Sequence, residues 1–478
     1  MKGRFFFLFL VAAAVGLAVR AEEGLKPRLV VLTDIAPGDV EPDDMESVVR
    51  LMAYADQVEI EALIATVGWN CDPDPPAWAD YLWQAVGAYE HDVKRLMRRS
   101  GQKRFLPLAD ELGKQAIGYW PSGAYLQSRV VMGSRRAGIA AVGKEGRSAG
   151  SDLIVRLADE DDPRPLWIAA WGSANTLAQA IWQVKQSRTA DELKAFLHKL
   201  RVYSVSDQDM AYDRRKDLAY SSHQWMRREF ADDLLFIWDE SAWLTQNELG
   251  KKNWEKYARL IQRQGVLGST YPTCKWGVEG DTPSWLHILP NGLHDPDDPT
   301  QAGWGGCHRR DLCPDSLTTA WTNWREPQKA VSRQYEERFY PYIFNDFAAR
   351  MRWAATGTGN RNPVAVVRVG GLTTAGAAPN EPLRVSATAG STLKLDASKS
   401  YDPDGGGVSV SWWIQRDAGR CPEAVGLAGS GHSLATLSLP TGCEGAEVHV
   451  VCEVRDNAAS PLVNYRRLIV RVEGMRNL

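Results

Sequence analysis

Between residues 28 and 350 the chain alternates short apolar runs with amphipathic stretches, and no other feature restricts its fold as strongly. Leu29-Val30-Val31-Leu32, residues 60–67, 165–170 and 200–205 are each too short for a core helix and largely lack a polar face. Such runs read as strands buried on both sides. Met45, Val48, Val49 and Met52 recur at i, i+3, i+4 and i+7, with Ala55 continuing the stripe, so a helix follows the first strand. Residues 77–97 and 173–186 also read as helices. Strands alternating with helices predict βαβ units and an α/β domain on a mainly parallel sheet. Sheets of that kind hold their sites at the carboxyl ends of the strands.

The pattern changes at residues 356–363, Thr-Gly-Thr-Gly-Asn-Arg-Asn-Pro, a linker by composition. Beyond it, residues 364–369, 392–395, 408–414, 448–454 and 468–472 are short strand-like runs between turn signals. They predict an all-β, immunoglobulin-like sandwich. The expected domains are residues 22–358 and 359–478. The run from Leu395 to Gly405 resembles the turn of PKD-like and other immunoglobulin-like modules. Its Asp402-Pro403-Asp404-Gly405 suits calcium or a tight turn, and the turn is the simpler reading. Trp412 and Trp413 would suit sugar stacking if exposed, but neighbours in a strand face opposite sides, so one packs in the sandwich core.

Lys2 and Arg4 precede an uncharged run over residues 5–19, and Val19-Arg20-Ala21 carries short side chains at the positions a signal peptidase reads. Residues 1–21 are therefore expected to be a signal peptide cleaved after Ala21, leaving a secreted or periplasmic protein. The run is too short for a comfortable membrane span. Seven cysteines fit export. Cys307 and Cys313 are close enough for a local bridge, and Cys421, Cys443 and Cys452 offer a second pair. No Cys/His spacing resembles a zinc site. With 56 basic against 59 acidic residues there is no positive field for nucleic acid. The glycine-rich stretches lack the strand–GxGxxG–helix setting of nicotinamide or flavin sites.

Directly after the first strand, Asp34, Asp39, Glu41, Asp43 and Asp44 place five carboxylates within eleven residues. Capping of the following helix explains one or two of them. It does not explain Asp34 at the strand tip together with the Asp43-Asp44 pair. A hard cation explains all three, because calcium takes six to eight oxygens.

The segment resembles the calcium-binding signature of nucleoside hydrolases, Asp-Pro-Gly-x-Asp-Asp at the end of the first strand. Residues 62–70, ending in Asn70, look like that family's second strand, which ends in a substrate-binding Asn. Trp171-Gly172-Ser173-Ala174-Asn175-Thr176-Leu177 looks like the segment whose first residue gives calcium a backbone carbonyl. Gly280-Asp281-Thr282-Pro283 resembles the late segment whose Asp completes the metal shell. A secreted subfamily, the nucleoside-hydrolase-like proteins described as cellulose-binding with an immunoglobulin-like C-terminal domain, is closer still. Residues 161–167, 206–209, 290–293, 303–306 and 345–350 all fit it, so the resemblance covers essentially the whole mature chain.

The resemblance implies Asp34, Asp44, Asp281 and the Trp171 carbonyl as calcium ligands and Asp43 as general base on a calcium-bound water. Asn70, Asp207 and Asp209 are the candidates for gripping sugar hydroxyls. Attack at an anomeric carbon would break an N- or O-glycosidic bond of a nucleoside or a cell-wall saccharide, with inversion. Three positions depart from nucleoside hydrolases. The loop from Asp34 to Asp43 is longer, Leu32 stands where an Asp is usual, and Gly280 stands where a His often aids departure of the base. His287 and His294 lie downstream as weaker candidates for that acid. A non-catalytic carbohydrate-binding protein on the same scaffold is the competing function. The presence of Asp43 favours catalysis, since a pure binder needs ligands but no base.

Overall fold

The computed structural model of the protein describes residues 24–38, 40–68, 79–209 and 218–474. The expected leader lies outside the described residues. Eight strands form the first sheet: β1 (Arg28–Thr33), β2 (Glu59–Ala65), β3 (Val130–Met132), β4 (Leu166–Ala170), β5 (Leu200–Val205), β6 (Leu235–Asp239), β7 (Arg309–Leu312) and β8 (Thr319–Thr322). Their order is β3-β2-β1-β4-β5-β6-β8-β7. Every pair is parallel except β7 with β8 at the edge.

The apolar runs become central strands because helices cover both faces. Val31, Leu63, Ala169, Tyr203 and Ile237 belong to one layer, which the helices Pro42–Met52, Ala79–Ser100 and Gln328–Thr356 close. Leu32, Ile64, Ile168, Ala170 and Val202 belong to the other, under Ala149–Asp159, Asn175–Ser187, Ala190–Lys199 and Ser222–Phe230. Each buried Val, Leu or Ile among them contributes about 1.5–3 kcal/mol by leaving water. Helix Pro42–Met52 begins with its proline in the first turn, where no amide hydrogen is needed, and with Asp43 and Asp44 beside the positive end of the dipole. It stops at Met52, so Ala55 extends the buried stripe from the following turn and not from the helix.

The C-terminal region is all β. Its strands are β9 (Arg368–Val369), β10 (Leu372–Thr373), β11 (Leu383–Thr388), β12 (Thr392–Asp396), β13 (Val408–Gln415), β14 (Gly426–Ala428), β15 (Leu434–Ser438), β16 (Glu447–Asp456) and β17 (Val463–Glu473). They form a five-stranded sheet, β10-β9-β12-β15-β14, and a four-stranded sheet, β11-β17-β16-β13. Of the run 364–369 only β9 joins a ladder. Val364 makes an isolated bridge to Tyr401, and Ala365 and Val367 are apolar because they fill the sandwich core. Asp402 closes the Asp-Pro-Asp-Gly turn by accepting the amides of Asp404 at 2.8 Å and Gly406 at 3.1 Å.

The two Trp residues of β13 divide as the strand period demands. Trp412 lies in the sandwich core, its indole N–H on the His432 carbonyl at 3.0 Å. Trp413 is not an exposed platform, which corrects the sugar-stacking expectation. It faces the α/β domain, with the Arg338 guanidinium 4.2 Å above its ring and Tyr335 at 6.0 Å. Val451, Val463 and Tyr465 join the same apolar cluster as the parallel sheet. The linker is clamped as well. Arg99 donates to the Gly359 carbonyl at 2.7 Å, and Arg99 and Arg361 both pair with Asp404.

The Cys307–Cys313 bridge that their spacing allows does not form. Cys307 packs in the layer under Gln328–Thr356 and Cys313 in the opposite layer, with β7 running between them. Cys421, Cys443 and Cys452 are also unbridged thiols, as is Cys274, while Cys71 lies outside the described residues. Alkylation of the denatured, unreduced protein is therefore expected to label both Cys307 and Cys313. A cross-linked Cys307–Cys313 peptide in the mass spectrum would contradict the sheet geometry.

Candidate functional site

The site is assembled at the carboxyl ends of three neighbouring strands. Asp34 follows β1 directly, Gly68 lies beyond β2, and Gly172 lies beyond β4. A Cβ on Gly68 would fall 1.6 Å from an Asp34 carboxylate oxygen, and one on Gly172 would fall 2.9 Å from the Asp34 amide nitrogen. Glycine is required at both places by close approach. The Asp34 carboxylate is 1% exposed, and neither oxygen has a hydrogen-bond partner. Burial pushes it up to about 8, with the Asp43 charge adding to the effect.

Asp44 reaches the same place from the first turn of its helix. Its oxygen takes a short hydrogen bond from the Thr33 hydroxyl. Asp43 stands beside it and is only half-buried. Neither caps the helix. The N-cap is Glu41, whose side chain makes no capping bond. One carboxylate oxygen from each of Glu41, Asp43 and Asp44 lies within 4.8 Å of the others. Burial and the neighbouring Asp34, Asp43 and Asp44 push Glu41 up to about 12. Burial also raises Asp43, while hydrogen bonds involving Glu41 and Asn247 hold it partly down.

Asp281 arrives from a distant part of the chain, at the start of the helix Thr282–Leu286. It is 4% exposed, and its Oδ2 has no hydrogen-bond partner. Burial and repulsion from Asp44, Asp43, Asp34 and Glu41 push it well above the usual carboxylate range. Ser284 ties this turn to β4, donating to the Asp281 carbonyl at 2.6 Å and accepting the Trp171 indole N–H at 2.6 Å. The Trp171 amide donates to Leu32 at 2.8 Å, which sets the Trp171–Gly172 peptide against Asp34. Nearby Arg50 is committed to Glu279 at 2.5 Å. Among the described residues no Lys or Arg forms an ion pair with Asp34, Asp44 or Asp281.

Buried carboxylates without cationic partners repel one another and cost several kcal/mol each to ionise. The unpartnered Asp34 and Asp281 oxygens and the adjacent Asp44 are the donor type a divalent cation takes, and among the described residues the carboxylates whose oxygens already lie within 4.8 Å of one another are Glu41, Asp43 and Asp44. The structure thus brings Asp34, Asp43, Asp44, Asp281 and Trp171 together. It adds Glu41, which sequence reasoning placed in the acidic run without a role, and Asn247, which no local signal marked.

Asp207 and Asp209 lie beyond β5, where Asp209 meets Ser173 next to Gly172. Asp207 accepts the Ser221 hydroxyl at 2.9 and 2.7 Å. Asp209 is fully buried and accepts the Ser222 amide at 2.5 Å and the Ser173 and Ser222 hydroxyls. Burial and the Asp207 charge raise it to about 6. These carboxylates hold the amino end of the helix Ser222–Phe230 against the end of β4, and protein donors engage them. Asn70 lies outside the described residues. His287 and His294 are core residues with rings 4.9 Å apart, both fully buried. Burial lowers His287 to about 3 and His294 well below its ordinary value, so neither carries a proton to donate near neutrality.

Comparison with known proteins agrees with this architecture. Residues 28–308 match the family model of cellulose-binding Sde182, nucleoside hydrolase-like domain, and residues 392–472 match that of cellulose-binding protein Sde0182, C-terminal domain. A solved nucleoside hydrolase-related hypothetical protein from Saccharophagus degradans, associated with carbohydrate metabolism, is 31% identical. It covers 94% of this chain and 100% of its own, with a TM-score of 0.77. The PKD domain of the KIAA 1837 protein aligns at 20% identity over 20% of this chain and 83% of its own, with a TM-score of 0.16. No curated protein matches the chain. Carboxylates gathered at the strand ends of a nucleoside-hydrolase-like sheet, joined to an all-β C-terminal domain, place the chain in the cellulose-binding Sde182 family, to which it belongs.

Proposed function

We propose that the mature, exported chain is a calcium-dependent hydrolase that cleaves a glycosidic bond of a carbohydrate, with a nucleoside as the other substrate class its scaffold suits. The observation that carries this reading is the meeting of buried Asp34, Asp44 and Asp281, none of them ion-paired, with a partly exposed Asp43. Asp34, Asp44, Asp281 and the Trp171 carbonyl would hold the cation. When bound, calcium supplies the positive charge that lets these carboxylates stay ionised and makes a neighbouring water more acidic.

The chain's own groups do the rest. Asp43 is the carboxylate of the cluster that remains partly open, so it can meet a water and accept its proton as the water attacks the anomeric carbon and the glycosidic bond breaks, its electron pair leaving with the departing oxygen or nitrogen, which is protonated from solvent. Asn247 holds Asp43 by a side-chain hydrogen bond. The burial of Asp34 and Asp281 excludes bulk water from the inner side of the site. A general base acting on water, with no nucleophilic carboxylate, gives inversion.

A second reading, carbohydrate binding without turnover, draws support from the family's description as cellulose-binding and from His287 and His294, which are buried and neutral. Calcium calorimetry on residues 22–478 after chelator treatment separates the first step of the mechanism from the rest. Asp34→Ala and Asp44→Ala are expected to lose calcium binding, and Asp402→Ala to keep it. Binding lost only with Asp402→Ala would move the metal to the β-domain turn and remove the proposed mechanism.

A further inference from the structure

Among the described residues, Trp83 and Trp276 are the exposed tryptophans, and Trp276 is the more open at 63%. Trp276 lies on the segment that leads into Asp281, and its indole N–H reaches the Val40 carbonyl at 3.3 Å. Val40 is itself 37% exposed and directly precedes Glu41 of the carboxylate cluster. The same segment is seated over the site. A Cβ on Gly277 would fall 2.2 Å from the Asn247 side chain, and one on Gly280 would fall 3.0 Å from an Asp43 oxygen. An apolar rim of Trp276 and Val40 thus borders the one half-open carboxylate.

A single exposed apolar side chain is ordinary on a protein surface, and what distinguishes Trp276 is its place, bonded to Val40 beside Glu41 on the segment that leads into Asp281. The Lys275 ammonium stands 4.7 Å over one face of the ring, so the large exposed area belongs to the opposite face and edge. A one-sided indole platform matches a pyranose, which offers an apolar C–H face and a rim of hydroxyls. We propose that Trp276, with Val40 beside it, is the stacking platform for a pyranose of a bound glucan chain while an adjoining sugar reaches Asp43. This subsite rests on the carbohydrate reading given above. It assigns saccharide recognition to the α/β domain, since Trp412 is buried in the sandwich core and Trp413 packs, partly buried, against the helix Gln328–Thr356.

The test is calorimetry with cellohexaose, in calcium, on the wild-type chain, Trp276→Ala and Trp276→Phe. Trp276→Ala is expected to bind about tenfold more weakly, and Trp276→Phe within about threefold of wild type, because one aromatic face persists. Calcium affinity and thermal midpoint are expected to be unchanged in both, since the ring is largely in solvent. Undiminished cellohexaose binding by Trp276→Ala overturns the subsite and leaves the carbohydrate reading standing. No cellohexaose binding by the wild-type chain overturns both. Weakened binding of inosine with cellohexaose unaffected overturns the subsite as well, by making the platform one for a nucleobase.

Discussion

Asp43→Asn is expected to bind calcium as the wild-type chain does and to hydrolyse its substrate about 10²- to 10⁴-fold more slowly, the range set by loss of a positioned general base. The expected separation of binding from turnover follows from where Asp43 sits. Asp34 and Asp281 are buried with unpartnered oxygens, and Asp44 is buried against Thr33, so these three face inward. Asp43 is partly exposed and held from the side by Asn247. Asparagine keeps the shape and the contact with Asn247 but cannot take a proton. Release of reducing sugar from cellohexaose and of ribose from inosine provides the assay, with calcium calorimetry run beside it. Full activity in the variant would sink the role given to Asp43. A wild-type chain that binds cellohexaose but releases nothing from either probe would favour the non-catalytic reading.

The second large effect is in stability. The calcium-free chain is expected to become less stable as pH rises from about 5 to about 8. Asp34 has an ordinary value of 3.8 and is held near 8 by burial in the folded protein. Between those values the folded chain keeps a proton that the unfolded chain has released. Stability from this group is therefore fully present below the unfolded value and lost as pH passes through the folded one. Asp44 and Asp281 are shifted in the same direction by burial and by one another. For Asp34 alone the loss is on the order of 4 kcal/mol between pH 5 and pH 8.

Calcium should reverse the trend, because ligating carboxylates must be deprotonated and affinity rises with pH. Saturating calcium adds stability by mass action, about 2.7 kcal/mol at one hundred times the dissociation constant. Urea unfolding at pH 5, 6, 7 and 8, with chelator or with calcium, reads both slopes. Equal stability at pH 5 and pH 8 in chelator would mean that these carboxylates are not buried together as charges.

Much of the fold was legible because burial leaves a periodic trace along the chain. Central strands of a parallel sheet are covered on both faces, so β1 and β4 read as nearly continuous apolar runs. β13 and β16 were visible in the same way. The run 364–369 shows the limit of that trace. Ala365 and Val367 fill the core without joining a ladder, whereas Val369 does both, and a burial pattern does not tell the two apart. Asp34, Asp43 and Asp44 were readable as a group because they are close in sequence and too many for capping alone.

Tertiary structure decided which groups far apart in sequence meet. Asn247 joins Asp43 from the helix Ala242–Lys252, and nothing in its local sequence marks it. Asp207 and Asp209 looked like sugar ligands, yet the chain after β5 turns them onto the helix Ser222–Phe230. Cys307 and Cys313, six residues apart, are held in opposite layers by the strand between them. Trp413 is hidden by the long helix of the other domain, while Trp276 is left open at the rim of the site. The sequence by itself determined the strands, the helix stripes and the local acidic run, because each depends on neighbours within a few turns of chain. Which carboxylates converge, which tryptophan stays exposed and which thiols can meet depend on the crossovers that set strand order, and those contacts leave no local period to read.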